Sequence, residues 1–340
     1  MAAPADDGFL MPAEWAPHQR TWMSWPCREE TWGGALEAAR EVYAEVAKTI
    51  SAFEPVTMVV NSEELATASL ALGSGVACLP MPHSDSWLRD SGPTFVVDRK
   101  GTLAGIDWRF NAWGEKYRDY AADAAVAAAL LDHLKVRRYD APFVLEGGSI
   151  HVDGEGTALT SEECLLNANR NPDLSREEIE ENLRRYLGVK TVIWLGRGLQ
   201  DDETDGHVDN LACFVKPGVV MALSSEDPED PNTAVLKENL ERLKAAKDAQ
   251  GRALQVIEVP QPKKQLAANG TRLALSYINF YVCNGGVIVP SFDDSNDQKA
   301  FDLIAAAFPE RKTLAVPALD ILAGGGGIHC ITQQQPGTPA

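Results

Sequence analysis

Gly147-Gly148-Ser149-Ile150-His151-Val152 and Gly325-Gly326-Gly327-Ile328-His329-Cys330 are two versions of one phrase: paired glycines, then a short apolar run carrying a histidine. Gly285-Gly286-Val287-Ile288-Val289-Pro290 is a looser third copy. Recurring Gly-Gly followed by a short apolar strand suggests repeated sheet units around a centre, as in a propeller. The spacings are irregular, so the repeat alone does not fix a fold.

Working outward, helix-like and strand-like runs interleave along the chain, which makes it an α/β protein. Val42, Val46, Ile50 and Phe53 share one helical face between residues 35 and 53, and the alanine-rich run 121–134 has high helix propensity. Ser175-Arg176-Glu177-Glu178 reads as a capping box, with Gly188 as the stop. A further helix is expected over 232–250, with Asn232 as cap and Gly251 just beyond, and another over 297–308. Strands are expected at 56–60, 94–97, 143–145, 192–195, 211–215, 219–223, 254–259, 277–282, 287–290 and 313–316. No Ser-rich or Pro-rich linker divides the chain. We expect one catalytic domain over residues 1–340, with 337–340 as a frayed tail.

The 340 residues carry a net charge of -18, which argues against nucleic acid as a partner and favours a cationic ligand. No apolar run is long enough for a membrane span, and residues 1–14 lack the pattern of a signal peptide. The six cysteines, Cys27, Cys78, Cys164, Cys213, Cys283 and Cys330, form no CxxC pairs, so neither a zinc cage nor a disulfide framework is expected. A reducing cytoplasm follows.

Polar residues gather in four places: Asp85–Pro93, Glu146-Gly147-Gly148, Asp201–Asn210, and the segment ending in Cys330. Cysteine is the side chain most readily made a nucleophile near neutral pH, and a glycine run lets a ligand approach it. His207 and Asp209 are two apart, so in a strand they share a face and suit acid–base work or a metal. Metal is the weaker reading, since no HExxH pattern or third local ligand is present. Taken singly, Arg89–Asp90 reads as a structural ion pair, Glu146 as a strand end, and 201–205 as a solvated acidic loop. His18, His83, His133 and His151 read as structural or surface residues, and the cysteines other than Cys330 as buried small hydrophobes. Together, several carboxylates, one histidine and one thiol in an acidic protein suit a guanidinium. Carboxylates clamp such a cation bidentately, and a thiolate can attack its central carbon.

The chain resembles the agmatine deiminase family of the guanidine-modifying (pentein) superfamily. The resemblance rests on Met11–Trp15, Trp87–Pro93, Phe110–Gly114, Glu146–Gly154, Asn167–Pro172, Asp202–Asn210, Ser276–Tyr281 and the Cys330 segment. It implies a five-bladed α/β propeller with the active site in a central channel, and hydrolysis of agmatine to N-carbamoylputrescine and ammonia without metal or cofactor, a step toward putrescine. By this resemblance Cys330 is the nucleophile and His207 the general acid/base, oriented by Glu146. Asp90 and Asp209 clamp the guanidinium, Trp87 lines the aliphatic part, and Glu203 stands near the far ammonium. The family more often has Asn where this chain has Gly327, which removes a side chain able to hold the loop. The alternatives are a deiminase of arginine or peptidyl-arginine, and a non-catalytic guanidine-binding protein. A homo-oligomer is left open.

Overall fold

The computed structural model describes residues 2–267 and 270–337. Its strands fall into five small sheets. Strands β1 (His18–Ser24), β2 (Val56–Val60) and β3 (Val76–Pro80) begin the first. The second holds β4 (Thr94–Val97), β5 (Leu103–Arg109) and β6 (Arg137–Val144), and the third β7 (His151–Val152), β8 (Thr157–Ser161) and β9 (Thr191–Leu195). The fourth holds β10 (Ala212–Lys216), β11 (Val219–Ser224) and β12 (Gln255–Pro260), and the fifth β13 (Tyr281–Cys283), β14 (Gly286–Ser291) and β15 (Lys312–Pro317). The last strand, β16 (Gln333–Pro336), returns to the first sheet and pairs antiparallel with β1.

One pattern recurs five times. In sheets two to five an antiparallel pair is followed by a parallel one, β4/β5/β6 being the type. The parallel step needs a crossover, and a helix supplies it each time. These helices are α1 (Leu36–Ser51), α2 (Asp123–Leu134), α3 (Arg176–Leu187), α4 (Asn232–Ala245) and α5 (Asp297–Ala307). The first sheet follows the same rule once β16 is counted as its leading strand, with β3 added beyond. Each unit is thus strand, strand, helix, strand, and the first unit is built from both ends of the chain.

Apolar faces explain the helices. In α1, Val42, Val46 and Ile50 are buried as their spacing predicts. The Ser175 capping box forms, and Gly188 ends α3 in a left-handed conformation, φ 73°. Helix α4 differs from expectation. Its cap position is Pro231, and it stops at Ala245, not 250. Asn232 instead accepts from Gln200 N, and Asp248 accepts from Gln250 N and Arg252 N, turning the chain back before Gly251. The strand expected over 277–282 shrinks to β13, because Ser276–Asn279 folds as a loop held by Ser276 Oγ and Asn279. Of the expected tail, Gly337 donates to Pro17 O at 2.7 Å, while 338–340 lie outside the described residues. Among the described residues no helix is long and apolar enough to cross a membrane.

Candidate active site

The segment just before the leading strand of each unit carries the chemistry. Asp90 lies in the short helix Leu88–Ser91 before β4, and Glu146–Gly148 precede β7. His207 and Asp209 sit on the turn before β10, Asn279 before β13, and Cys330 before β16. Leading strands of neighbouring units touch, β16 with β4 and β7 with β10, so these segments meet. His207 and Asp209 therefore share a site because of a 3-10 turn over Val208–Asn210, not because of strand alternation.

Gly148 stands at the centre. A Cβ there would lie 2.6 Å from His207 Nδ1, 2.9 Å from Asp209 Oδ2 and 3.0 Å from Asp90 Oδ1. Only a glycine leaves room for acid, base and ligand together. Asp90 Oδ1 accepts from Gly148 N at 2.9 Å, and Oδ2 accepts from Trp113 Nε1 at 2.9 Å. Arg89 does not pair with Asp90. It turns away to Gln334 Oε1 at 2.8 Å and toward Glu14 at 3.5 Å.

His207 is fully buried, and neither ring nitrogen has a hydrogen-bond partner. Nδ1 is 3.8 Å from Asp90 and Nε2 is 3.7 Å from Glu146, which is ion-pair range but beyond a hydrogen bond. Burial works against its charged form, yet the carboxylates, Asp90 foremost, raise its pKa well above the usual histidine value. Glu146 is no mere strand end. Arg170 Nε donates to it at 2.7 Å and overcomes its burial, so its pKa is lowered. The same guanidinium reaches Asp205 at 2.6 Å and Thr204 O at 2.9 Å. The acidic loop 201–205 is thus pinned to the site at its Thr204–Asp205 end.

Cys330 is 2% exposed. Its sulfur lies 3.6 Å from Asp209 Oδ2 and 3.3 Å from Asn279 Nδ2. Burial, then Asp209 and Asp90, push the thiol well above its usual pKa, which favours the neutral thiol over the thiolate. Asp90 is raised by burial, whereas His329 overcomes burial at Asp209 and lowers it. The place of a side chain at Gly327 is taken by Asn279, whose Oδ1 would lie 2.4 Å from a Cβ there. That oxygen accepts from His329 N at 2.9 Å, so a neighbouring amide holds the loop.

Above Cys330 a cavity is lined by Trp87, Asp90, Trp113, Tyr117, Glu203 and Thr204, with Gly324–Gly326 on one wall. Trp87 stacks on Trp32 at 5.5 Å. Glu203 Oε2 accepts from Tyr117 OH at 3.0 Å, and Lys116 bonds the Glu203 carbonyl, pointing its charge at Asp205. Among the described residues no side chain lining the cavity is cationic. His207, Glu146 and Asp209 lie deeper, around and behind Gly148.

Five residues about the site had no role assigned from sequence: Glu14, Trp113, Arg170, Asn279 and His329. Each stands in one of the stretches that carried the family resemblance. A charged or amide side chain beside buried glycines and aromatics was the available signal. Cys164 also departs from expectation, since its sulfur is 3.9 Å from Glu146 Oε2. Glu146, Cys164 and His207 offer three donor atoms within 4.8 Å of one another. Arg170 already neutralises Glu146, and burial raises the Cys164 thiol, so this set suits a neutral thiol better than a cation. His18, His83 and His151 are buried structural groups; Cys213 and Cys283 are buried, while Cys27 and Cys78 are partly exposed.

Five such sheets, with a thiol, an imidazole and carboxylates gathered around Gly148 beside one cavity, define the class of guanidine-modifying α/β proteins. The family model described as Porphyromonas-type peptidyl-arginine deiminase matches residues 10–336. A putative agmatine deiminase of Legionella pneumophila is 51% identical over 98% of this chain and 97% of its own length. The agmatine deiminase of Stutzerimonas stutzeri is 48% identical, with coverage of 98% and 97%. Among solved structures, the agmatine deiminase of Enterococcus faecalis superimposes with a TM-score of 0.95 at 39% identity, covering 99% of this chain and 98% of that one. A substrate-bound agmatine deiminase of C. jejuni gives 0.90 at 32%, covering 98% and 97%. The chain belongs to this deiminase family, among its agmatine deiminases.

Proposed function

We propose that the chain hydrolyses agmatine to N-carbamoylputrescine and ammonia through a covalent intermediate on Cys330. The observation that carries the reading is the Gly148 hollow, where His207, Asp90 and Asp209 meet beside the Cys330 thiol. Asp90 and Asp209 take the guanidinium by charge-assisted hydrogen bonds. Asp209 Oδ1 and both His207 nitrogens are buried without partners, and a donor-rich cation and its reaction partners satisfy such atoms. The entering positive charge offsets Asp90 and Asp209, so Cys330 loses its proton to solvent and becomes a thiolate.

The sulfur attacks the guanidinium carbon to form a C–S bond. His207, protonated beside Asp90, gives its proton to a nitrogen, and that C–N bond breaks to release ammonia. A thiouronium remains on Cys330. Neutral His207 then takes one proton from water, the oxygen adds to the same carbon, and the C–S bond breaks as the remaining hydroxyl proton passes to the departing sulfur, giving the neutral ureido product and the Cys330 thiol. Glu146, fixed by Arg170, faces Nε2 and favours the imidazolium whenever it must act as the acid. Trp87 flanks the aliphatic chain, and Glu203 meets the terminal ammonium. A cavity wall without a cation favours this amine over the carboxylate of arginine or a peptide.

The five strand–strand–helix–strand units are read as blades of a five-bladed propeller, with this cavity in its central channel and residues 1–340 as one catalytic domain. Six free cysteines agree with a cytoplasmic home. The test is Cys330→Ser with agmatine: binding is expected to persist while ammonia release falls by at least about a thousandfold. Ammonia release near the wild-type rate removes Cys330 as the nucleophile. Turnover of arginine in preference to agmatine removes the substrate assignment.

A further inference from the structure

Behind Cys330 lies a second group of charges that the reaction above leaves unused. Glu14 Oε1 is 2.8 Å from His329 Nε2, and His329 Nδ1 is 2.9 Å from Asp209 Oδ2. Glu14 is 4% exposed, and His329 and Asp209 are each 2% exposed. A carboxylate only accepts hydrogen bonds, and a neutral imidazole donates from one nitrogen alone. An imidazole bonded at both ends to carboxylates therefore carries an extra proton in the chain.

Among the described residues, charged and titratable groups face this chain from several elements, and the Cys213 thiol lines the same pocket as Glu14, Asp209 and His329. Arg89 Nη1 is 3.5 Å from Glu14, and Arg89 Nε donates to His329 O at 3.3 Å. His151 Nδ1 accepts from Phe214 N, which leaves its proton on Nε2, 3.5 Å from Glu14 Oε2. Cys330 stands 3.6 Å from Asp209, and His207 and Asp90 face it across Gly148. Glu14, hydrogen-bonded by one cation and within ion-pair range of another, is the natural counter-ion, and Asp209 is the group the imidazole presents to the site.

We propose that Glu14 and His329 are positioning residues for Asp209: a protonated His329, anchored by Glu14, keeps the Asp209 carboxylate ionised and fixed beside the Cys330 thiol. The inference rests on the reading of Asp209 as half of the guanidinium clamp. Asp90 and Asp209 flank one glycine, and two carboxylates so placed tend to share a proton, which would spoil the clamp. The imidazolium breaks that symmetry. Its neighbours bear this out: burial opposes all three charges, yet Glu14 is held well below the usual carboxylate range, Asp209 is lowered, and His329 is raised. Substrate then meets one carboxylate that is always charged.

Without the His329 cation the Asp209 pKa rises, so the neutral acid persists to higher pH and the acid limb of kcat/KM moves upward. Agmatine kinetics are compared at each pH for wild type, Glu14→Gln and His329→Gln, because Asp90, His207 and Cys330 titrate in all three. The expected loss in kcat/KM is at least about tenfold near pH 6, mostly in KM, and smaller above about pH 8. A loss by one factor at every pH overturns the proposal and leaves the pair a packing role. Nitrogen NMR of the wild-type imidazoles decides even if the variants misfold. His329 is expected to stay doubly protonated from about pH 6 to about pH 8; a neutral ring overturns the proposal. A wild-type protein inert toward agmatine would sink the function reading, whereas an active one with a neutral His329 sinks this inference alone.

Discussion

Gly148 is the residue at which the site is most sensitive. A single methyl there meets His207, Asp209 and Asp90 at once, and the first two are nearer than 3.0 Å. None of these can give way without losing its own place in the cluster. Gly148→Ala is expected to lower kcat/KM for agmatine by at least about a hundredfold while the chain still folds. Steady-state kinetics and thermal unfolding together check this, and kinetics close to wild type would mean that the guanidinium binds elsewhere. Gly148 was legible as part of a glycine pair, but its reason was not. The glycine pair suggested a strand entry; the structure makes it the space between three side chains from two other units, Asp90 before β4 and His207 with Asp209 before β10. The same limit hid Asn279 and His329. Their hydrogen bonds reach residues 51 and 120 positions away, to Cys330 and Asp209 respectively. No local spacing reports such pairs. Cys330 and His207 stood out as a thiol and an imidazole beside glycines, whereas Asp90 and Glu146, read singly as an ion-pair member and a strand end, became candidates through the resemblance alone.

At the scale of elements, regular pieces were readable wherever local chemistry sufficed. Helix α3 has its capping box and its glycine stop in sequence, and the structure keeps both. Ser175→Ala removes one acceptor of the box and is expected to cost about 1 kcal/mol of stability. Chemical denaturation should show that loss with kcat and KM unchanged, since the cap is exposed and bonds only within its own helix turn. A fall in activity at constant stability would show that α3 steers the site. The elements that were missed are those whose apolar signal is interrupted. The run 232–250 looked like one helix, but Asp248 collects two backbone donors and folds the end into a turn. The third glycine phrase, at 285–290, forms the β13–β14 turn and its strand, so it is not equivalent to the first two. Its true counterpart is Ser276–Asn279, which apolar neighbours disguised as a strand.

At the scale of the whole molecule the decisive element is the least strand-like. Gln333-Gln334-Gln335-Pro336 has no apolar alternation, yet it becomes β16, and its three glutamines are buried. Two of the three amides are hydrogen-bonded to other parts of the fold. Gln334 Oε1 accepts from Arg89 Nη1, and Gln335 Oε1 accepts from Trp22 Nε1 at 2.9 Å. Strand β16 also gives the first unit the antiparallel partner that every other unit takes from its own sequence. The last strand thus completes the first sheet, directly after the Cys330 loop. Ending the chain after Thr332 leaves β1 unpaired on that side and strips the buried Arg89 guanidinium of an acceptor. A loss of at least about 3 kcal/mol is expected, because a buried charge left short of partners costs that much by itself. Cys330 should then react readily with a neutral alkylating reagent, since its loop is held by Arg89 N donating to Cys330 O at 3.1 Å. Urea unfolding and thiol alkylation of the truncated chain measure both effects. An unchanged unfolding midpoint would show that the first unit stands without its borrowed strand, and would separate the stability of the five sheets from their closure.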